Sequence, residues 1–101
     1  MQNDVTTSWA KFDHGKVATL TAAQQLTSTS TKCHQGVWVK AAAGNGGIVY
    51  VGNSDVTNGS VNETDGYELS AGNSILVPVS NVNSVYVIGS DVGQKVFWLS
   101  V

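Results

Sequence analysis

Val49-Tyr50-Val51-Gly52-Asn53-Ser54-Asp55-Val56 and Val85-Tyr86-Val87-Ile88-Gly89-Ser90-Asp91-Val92 are two versions of one stretch, identical at six of eight positions. Each runs a β-branched and aromatic segment straight into Gly, Ser and Asp, which is what a strand followed by a tight turn requires. Independent arrival and internal duplication are both open, since Val-Tyr-Val followed by Ser-Asp is cheap in a β-rich chain. In either case the two units are expected at equivalent places on two sheets.

Strand signals spread outward from these units. Val17 to Ala22 alternates, with Ala18, Leu20 and Ala22 on one side and Val17, Thr19 and Thr21 on the other, as a half-buried strand does. In Val37-Trp38-Val39-Lys40 the two valines share one face while Trp38 and Lys40 share the other. Gly44-Asn45-Gly46-Gly47 follows and reads as a hairpin turn, because these residues accept positive φ at little cost. Ile48 to Val51 is apolar on both faces, which predicts a strand covered on both sides.

The polar stretch from Gly52 to Gly66 is expected outside the core. Short strands then fall at Gly66–Leu69, Ser74–Val79, Val85–Ile88 and Val96–Val101, separated by Ala71-Gly72-Asn73, Asn81-Val82-Asn83 and Gly89–Gly93. Pro78 lacks a backbone donor and belongs at a sheet edge or bulge. The Thr and Ser run from Thr27 to Thr31 reads as loop, since its hydroxyls compete for backbone hydrogen bonds. Ala22 to Leu26 is the one candidate helical turn.

Turn chemistry every roughly 8–12 residues and no 3.6-residue period point to an all-β fold. The expected architecture is a jelly-roll-like Greek-key sandwich or barrel of about seven or eight short antiparallel strands. At 101 residues the chain is one β domain, residues 16–101, preceded by residues 1–15 as an N-terminal arm or first strand. Trp9 and Phe12 stand in that otherwise polar segment, as a strand lying on the core or as an arm docking on a neighbouring subunit.

Composition excludes several classes of partner. Charged residues are 12% of the chain, against roughly 25% in average domains, so the surface is neutral and hydrogen-bonding. Five lysines, no arginine and a net charge of -2 argue against direct nucleic-acid binding, which leans on clustered Arg and Lys. No apolar run approaches the ~20 residues of a membrane span, and Met1-Gln2-Asn3-Asp4 lacks the features of a signal peptide. With the single Cys33, this points to synthesis in a reducing cytoplasm and no membrane partner.

Catalytic chemistry finds little to use. The histidines are His14 and His34, and Cys33 and His34, adjacent in an extended segment, point to opposite faces. No enzymatic activity, catalytic residue or cofactor is therefore expected. The acidic, Asn-rich stretch Asn53 to Asp65 offers hard oxygen ligands but not the spacing of a calcium loop, so no metal site is expected either. Asn58-Gly59-Ser60 and Asn62-Glu63-Thr64 are formal glycosylation acceptors that indicate surface exposure. Gly44–Gly47 lacks the lysine and helix of a phosphate loop. Sugar binding is the more serious alternative, with Trp9, Trp38, Trp98 and Tyr67 as stacking candidates. Against it, Trp98 reads as core, and Trp9 and Trp38 as protein contacts.

From Ile48 to Val101 the chain resembles small β-rich structural proteins of tailed-bacteriophage virions. The resemblance lies in Val-Tyr-Val-Gly-Asn-Ser-Asp-Val-Thr, an excursion, Gly-Tyr-Glu-Leu-Ser-Ala-Gly-Asn-Ser-Ile and Val-Tyr-Val-Ile-Gly-Ser before a closing apolar strand. The family's Gly-x-x-Leu-x-x-Gly-x-Ser is matched by Gly66, Leu69, Gly72 and Ser74. The chain departs from the pattern at Ala41–Gly47, where many relatives have an Asn-rich strand, and its N-terminal half carries no matching motif.

The resemblance implies a jelly-roll-like virion protein of the capsid decoration or cement type. It would be made in the host cytoplasm and bound on the capsid surface, bridging major capsid protein subunits as a homodimer or homotrimer. The alternative is a glycan-binding or structural module of a head fibre, neck or tail. Trp9, Phe12 and Trp38 are the expected partner-binding residues, with the polar excursion facing outward.

Overall fold

The computed structural model describes residues 12–59 and 64–101. The strands are β1 (His14–Ala18), β2 (Gln24–Gln25), β3 (Val37–Ala41), β4 (Val49–Gly52), β5 (Tyr67–Leu69), β6 (Ser74–Val77), β7 (Tyr86–Gly89) and β8 (Lys95–Ser100). They pair antiparallel into two four-stranded sheets, β1-β8-β3-β6 and β2-β7-β4-β5. The all-β expectation holds. The one helical element among the described residues is a single 3-10 turn, Val82–Ser84.

Alternation builds the core. In β3 the residues Val37, Val39 and Ala41 are buried while Trp38 and Lys40 are exposed, and β8 buries Val96, Trp98 and Ser100 while exposing Lys95, Phe97 and Leu99. Val37, Val39, Ala41, Val96 and Trp98 meet Val49, Val51, Leu69 and Val87 of the other sheet, with Leu26, Val82 and Val85, in one cluster. Burying each such side chain contributes roughly 1.5–3 kcal/mol before conformational entropy is set against it.

The two repeated units do not lie on separate sheets. β4 and β7 are neighbours in one sheet, and Val51 pairs directly with Val87, its counterpart in the repeat. Tyr50 faces Ile88 and Gly52 faces Tyr86, so the pairing has a local twofold centre. Two like strands running antiparallel place equal residues opposite each other and bury Val49, Val51 and Val87 on one side. A slip of one residue would turn Tyr50 into the core.

Both faces of β4 are covered, as its sequence predicts. The segment after it folds back so that Val56 packs with Tyr50 and Ile88 in a second apolar cluster, outside the main core. Gly59, at φ +77, lies so close to the Tyr50 hydroxyl that a Cβ would overlap it. This part of the polar excursion is a lid on the sheet rather than a projecting loop.

Gly44–Gly47 is not a hairpin turn. It carries the chain from β3 to β4 in the opposite sheet, and neither Gly44 nor Gly46 has positive φ. β3 and β4 each have a buried face, and they satisfy it by facing each other across the core instead of pairing. The crossing is held by Asn45, whose Nδ2 donates to the Lys95 carbonyl and whose Oδ1 accepts from the Lys95 N–H, both at 2.9 Å.

Ala22 to Leu26 is also not helical. Gln24 and Gln25 pair with Val87 and Tyr86 and deliver Leu26 to the core. β1 begins at His14 and ends at Ala18, earlier than the alternation implies, leaving Leu20 57% exposed. Pro78 follows the edge strand β6, where its missing N–H costs no ladder bond.

Beyond β1, Thr19 is 1% exposed and joins the first strand to the β7–β8 turn. Its Oγ1 donates to the Asp91 carbonyl at 2.9 Å and accepts from the Gln94 N–H at 3.0 Å. Thr19→Val keeps the shape and removes both bonds. It is expected to cost about 1–3 kcal/mol, since the buried Gln94 N–H and the partly buried Asp91 carbonyl lose their partner. Calorimetric melting of the two proteins measures it, and an unchanged Tm would show that these bonds contribute nothing net.

Candidate docking surface

The outer face of the β1-β8-β3-β6 sheet presents side chains in cross-strand rows. His14, Leu99, Trp38 and Leu76 are in register across the four strands, and Lys16, Phe97, Lys40 and Ser74 form the adjacent row. Trp38 and Phe97 are each 42% exposed and Leu99 37%. Scattered exposed apolar residues are ordinary on a protein surface, whereas these stand on the neighbouring strands β3 and β8 and form a patch.

Lysines frame the patch. The Lys16 ammonium lies 5.9 Å from the centre of the Phe97 ring, a cation–π distance, and Lys40 and Lys95 are exposed on the same face. The lysine stems extend the apolar surface while their heads stay hydrated. A partner here must supply apolar contact in the middle and acceptors around it.

Of the expected partner-binding residues, Trp38 lies at the centre of this face. Phe12, 62% exposed, stands just before β1 at the edge of the same sheet, and Trp9 lies outside the described residues. Phe97, Leu99 and Leu76 join them and were not anticipated. The alternation of Lys95–Ser100 carried that signal, but Val-Phe-Trp-Leu reads as a uniformly apolar strand when its period is ignored.

The sugar-stacking candidates do not share a platform. Trp98 is 8% exposed and belongs to the core cluster, while Tyr67 is exposed on β5 of the other sheet. At one end of the sandwich a cavity of about 570 Å³ is lined by residues including Phe12, His14, Lys32, Cys33 and His34.

The Cys33 thiol donates to the Val79 carbonyl at 3.0 Å, and burial pushes its pKa up, the opposite of what a nucleophile needs. The N–H groups of His34, Gln35 and Gly36 converge on the Val101 oxygen, which organises this end structurally. Among the described residues no three His, Cys, Asp or Glu side chains gather as a metal group. Among the described residues no helix is long and apolar enough to cross a membrane.

No protein-family model matches the chain, and neither a curated protein nor a solved structure does.

The site must therefore be read from its own chemistry. The two rows offer aromatic, aliphatic and ammonium groups in the middle, with the His14 imidazole and the Ser74 hydroxyl on the edge strands. What it can do is bind. Trp38 and Phe97 stand on the two central strands of the sheet, and aromatic anchors on such elements are what tight protein contacts use.

Proposed function

We propose that this chain is a structural virion protein of a tailed bacteriophage, decorating the capsid and bracing it by bridging major capsid protein subunits. The observation that carries the reading is the exposed Trp38, Phe97 and Leu99 patch with its ring of lysines. The resemblance of residues 48–101 to small virion proteins supplies the setting. We read the strand order, two facing four-stranded sheets, as a jelly roll, which agrees with that setting.

The mechanism is linkage. A protein that binds only the assembled lattice lowers the free energy of that state by an amount set by its affinity and concentration, and repetition over a shell multiplies each contact. Two surfaces are open to protein contacts in such a shell, the end carrying Phe12 and the sheet face around Trp38.

Trp38→Ala is expected to reduce capsid occupancy at least about tenfold, the effect of losing an interfacial hot spot, with the fold intact. Quantifying bound protein on particles that lack the wild type measures this, and undiminished occupancy would overturn the assignment. Glycan binding is the second reading, because Trp38 and Phe97 also form a stacking platform with lysine donors beside it. Saturable quenching of Trp fluorescence by oligosaccharides, lost in Trp38→Ala, would favour it.

A further inference from the structure

Among the described residues, the strands of the two sheets carry charged side chains of opposite sign. The strands β1, β8, β3 and β6 contain exposed Lys16, Lys40 and Lys95 and not one aspartate or glutamate. On the other side of the molecule, Glu68 stands opposite Tyr50, which packs in the cluster outside the main core. Asp65 accepts a hydrogen bond from Thr57 Oγ1 at 2.6 Å, and Asp55 is exposed in the turn after β4. Burial and then the carboxylates of Glu68 and Asp65 push the Tyr50 pKa up, which places both carboxylates close to that side chain.

We propose that the face around Trp38 is covered by the acidic side of a second copy of this chain, in a head-to-tail contact repeated from copy to copy. This rests on the reading of that face as a protein-docking surface and assigns it to a neighbouring copy, leaving the Phe12 end for the capsid. Face-to-face packing of two identical sheets would set Lys16, Lys40 and Lys95 against the same lysines, which like-charge repulsion disfavours. Basic face on acidic side matches sign with sign. Such a heterologous contact closes into a ring when its rotation allows and otherwise runs on as a chain.

Four strands about 4.8 Å apart and about five residues long, at roughly 3.4 Å per residue, present a face of roughly 20 by 17 Å. That footprint is below the ~800 Å² per partner of a standard interface. The association is therefore weak when dilute, sensitive to salt, and promoted where copies are held close together on a shell.

Sedimentation velocity of the full chain over a concentration series, at about 0.05 M and about 0.5 M salt, tests this with two variants. K16E/K40E/K95E breaks the basic face, and D55K/E68K breaks the acidic side. The wild type is expected to form concentration-dependent oligomers at low salt that dissociate at high salt, and each variant alone is expected to stay monomeric. An equimolar mixture of the variants is expected to associate again, because the intact basic face of one meets the intact acidic side of the other and the two reversed surfaces are also complementary.

A wild type that stays monomeric at low salt overturns the proposal, as do variants that still associate or a mixture that does not. If a variant fails to fold, the wild-type salt response and the single changes Lys40→Glu and Glu68→Lys carry the same test. Capsid occupancy, measured separately, keeps the two readings apart. A monomeric chain that loads capsids through Trp38 overturns self-association alone. A chain that associates head to tail yet never loads capsids overturns the decoration role alone.

Discussion

Gly36→Ala is expected to destabilise this domain by about 3 kcal/mol or more, a loss of roughly 12–24 °C in Tm for a domain of this size. Gly36 has φ +146, a conformation that L side chains rarely adopt. A Cβ there would overlap the Val77 backbone oxygen and sit 2.9 Å from the Pro78 Cα. Those atoms are backbone at the end of β6 and have no rotamer with which to yield. The Gly36 carbonyl also accepts from the Val101 N–H at 2.9 Å, so moving residue 36 away from β6 disturbs the pairing beyond β8.

Gly44→Ala is the control. Nothing lies within 4 Å of a Cβ at that position and its φ is not positive, so alanine there should be neutral or slightly stabilising through the unfolded chain. Thermal melts followed by circular dichroism compare the two. Equal Tm values would mean that the close approach of β3 and β6 relaxes at no cost.

Trp98→Ala is the second large effect, expected at about 3–5 kcal/mol. The indole is 8% exposed in the main cluster, and it lies against Gly15 on the paired strand so closely that a Cβ at Gly15 would stand 2.6 Å from Nε1. Removing it leaves a cavity that two sheets pinned by their ladders cannot close. Urea denaturation should show a lowered midpoint with an unchanged slope. A loss below about 1 kcal/mol would show that the site collapses around the smaller side chain. Trp38→Ala, on the exposed face, is expected to do the reverse, sparing stability and losing binding.

Much of the fold was legible because a half-buried strand writes its environment into every second residue. Val37, Val39 and Ala41 against Trp38 and Lys40 is a complete description of β3, one face buried in the core and one exposed. The apolar Ile48–Val51 run announced a strand covered on both sides, and Pro78 announced an edge. Trp38 was found by the same alternation. Phe97 and Leu99 were missed because apolar residues also occupied the exposed positions of β8, which hides the period. Thr19 was missed because a threonine one residue past a strand end looks like any turn residue until its two backbone partners, more than seventy positions away, are in place.

The repeated Val-Tyr-Val units show where local information stops. Their residues determined that each is a strand, that valine faces one way and tyrosine the other, and that a turn follows. These properties depend only on pleat geometry and on the conformations open to Gly, Ser and Asp. Which strand pairs with which was decided by the tertiary structure alone. Gly44–Gly47 is equally suited to a hairpin or a crossing, and β4 could present the same face to several partners. The choice fell to long-range burial: β3 and β4 face each other across the core, while the two alike strands lie side by side with Val51 on Val87. The exposed face around Trp38 arose the same way, from four strands remote in sequence that bring their exposed residues into two rows only once the sheet is formed.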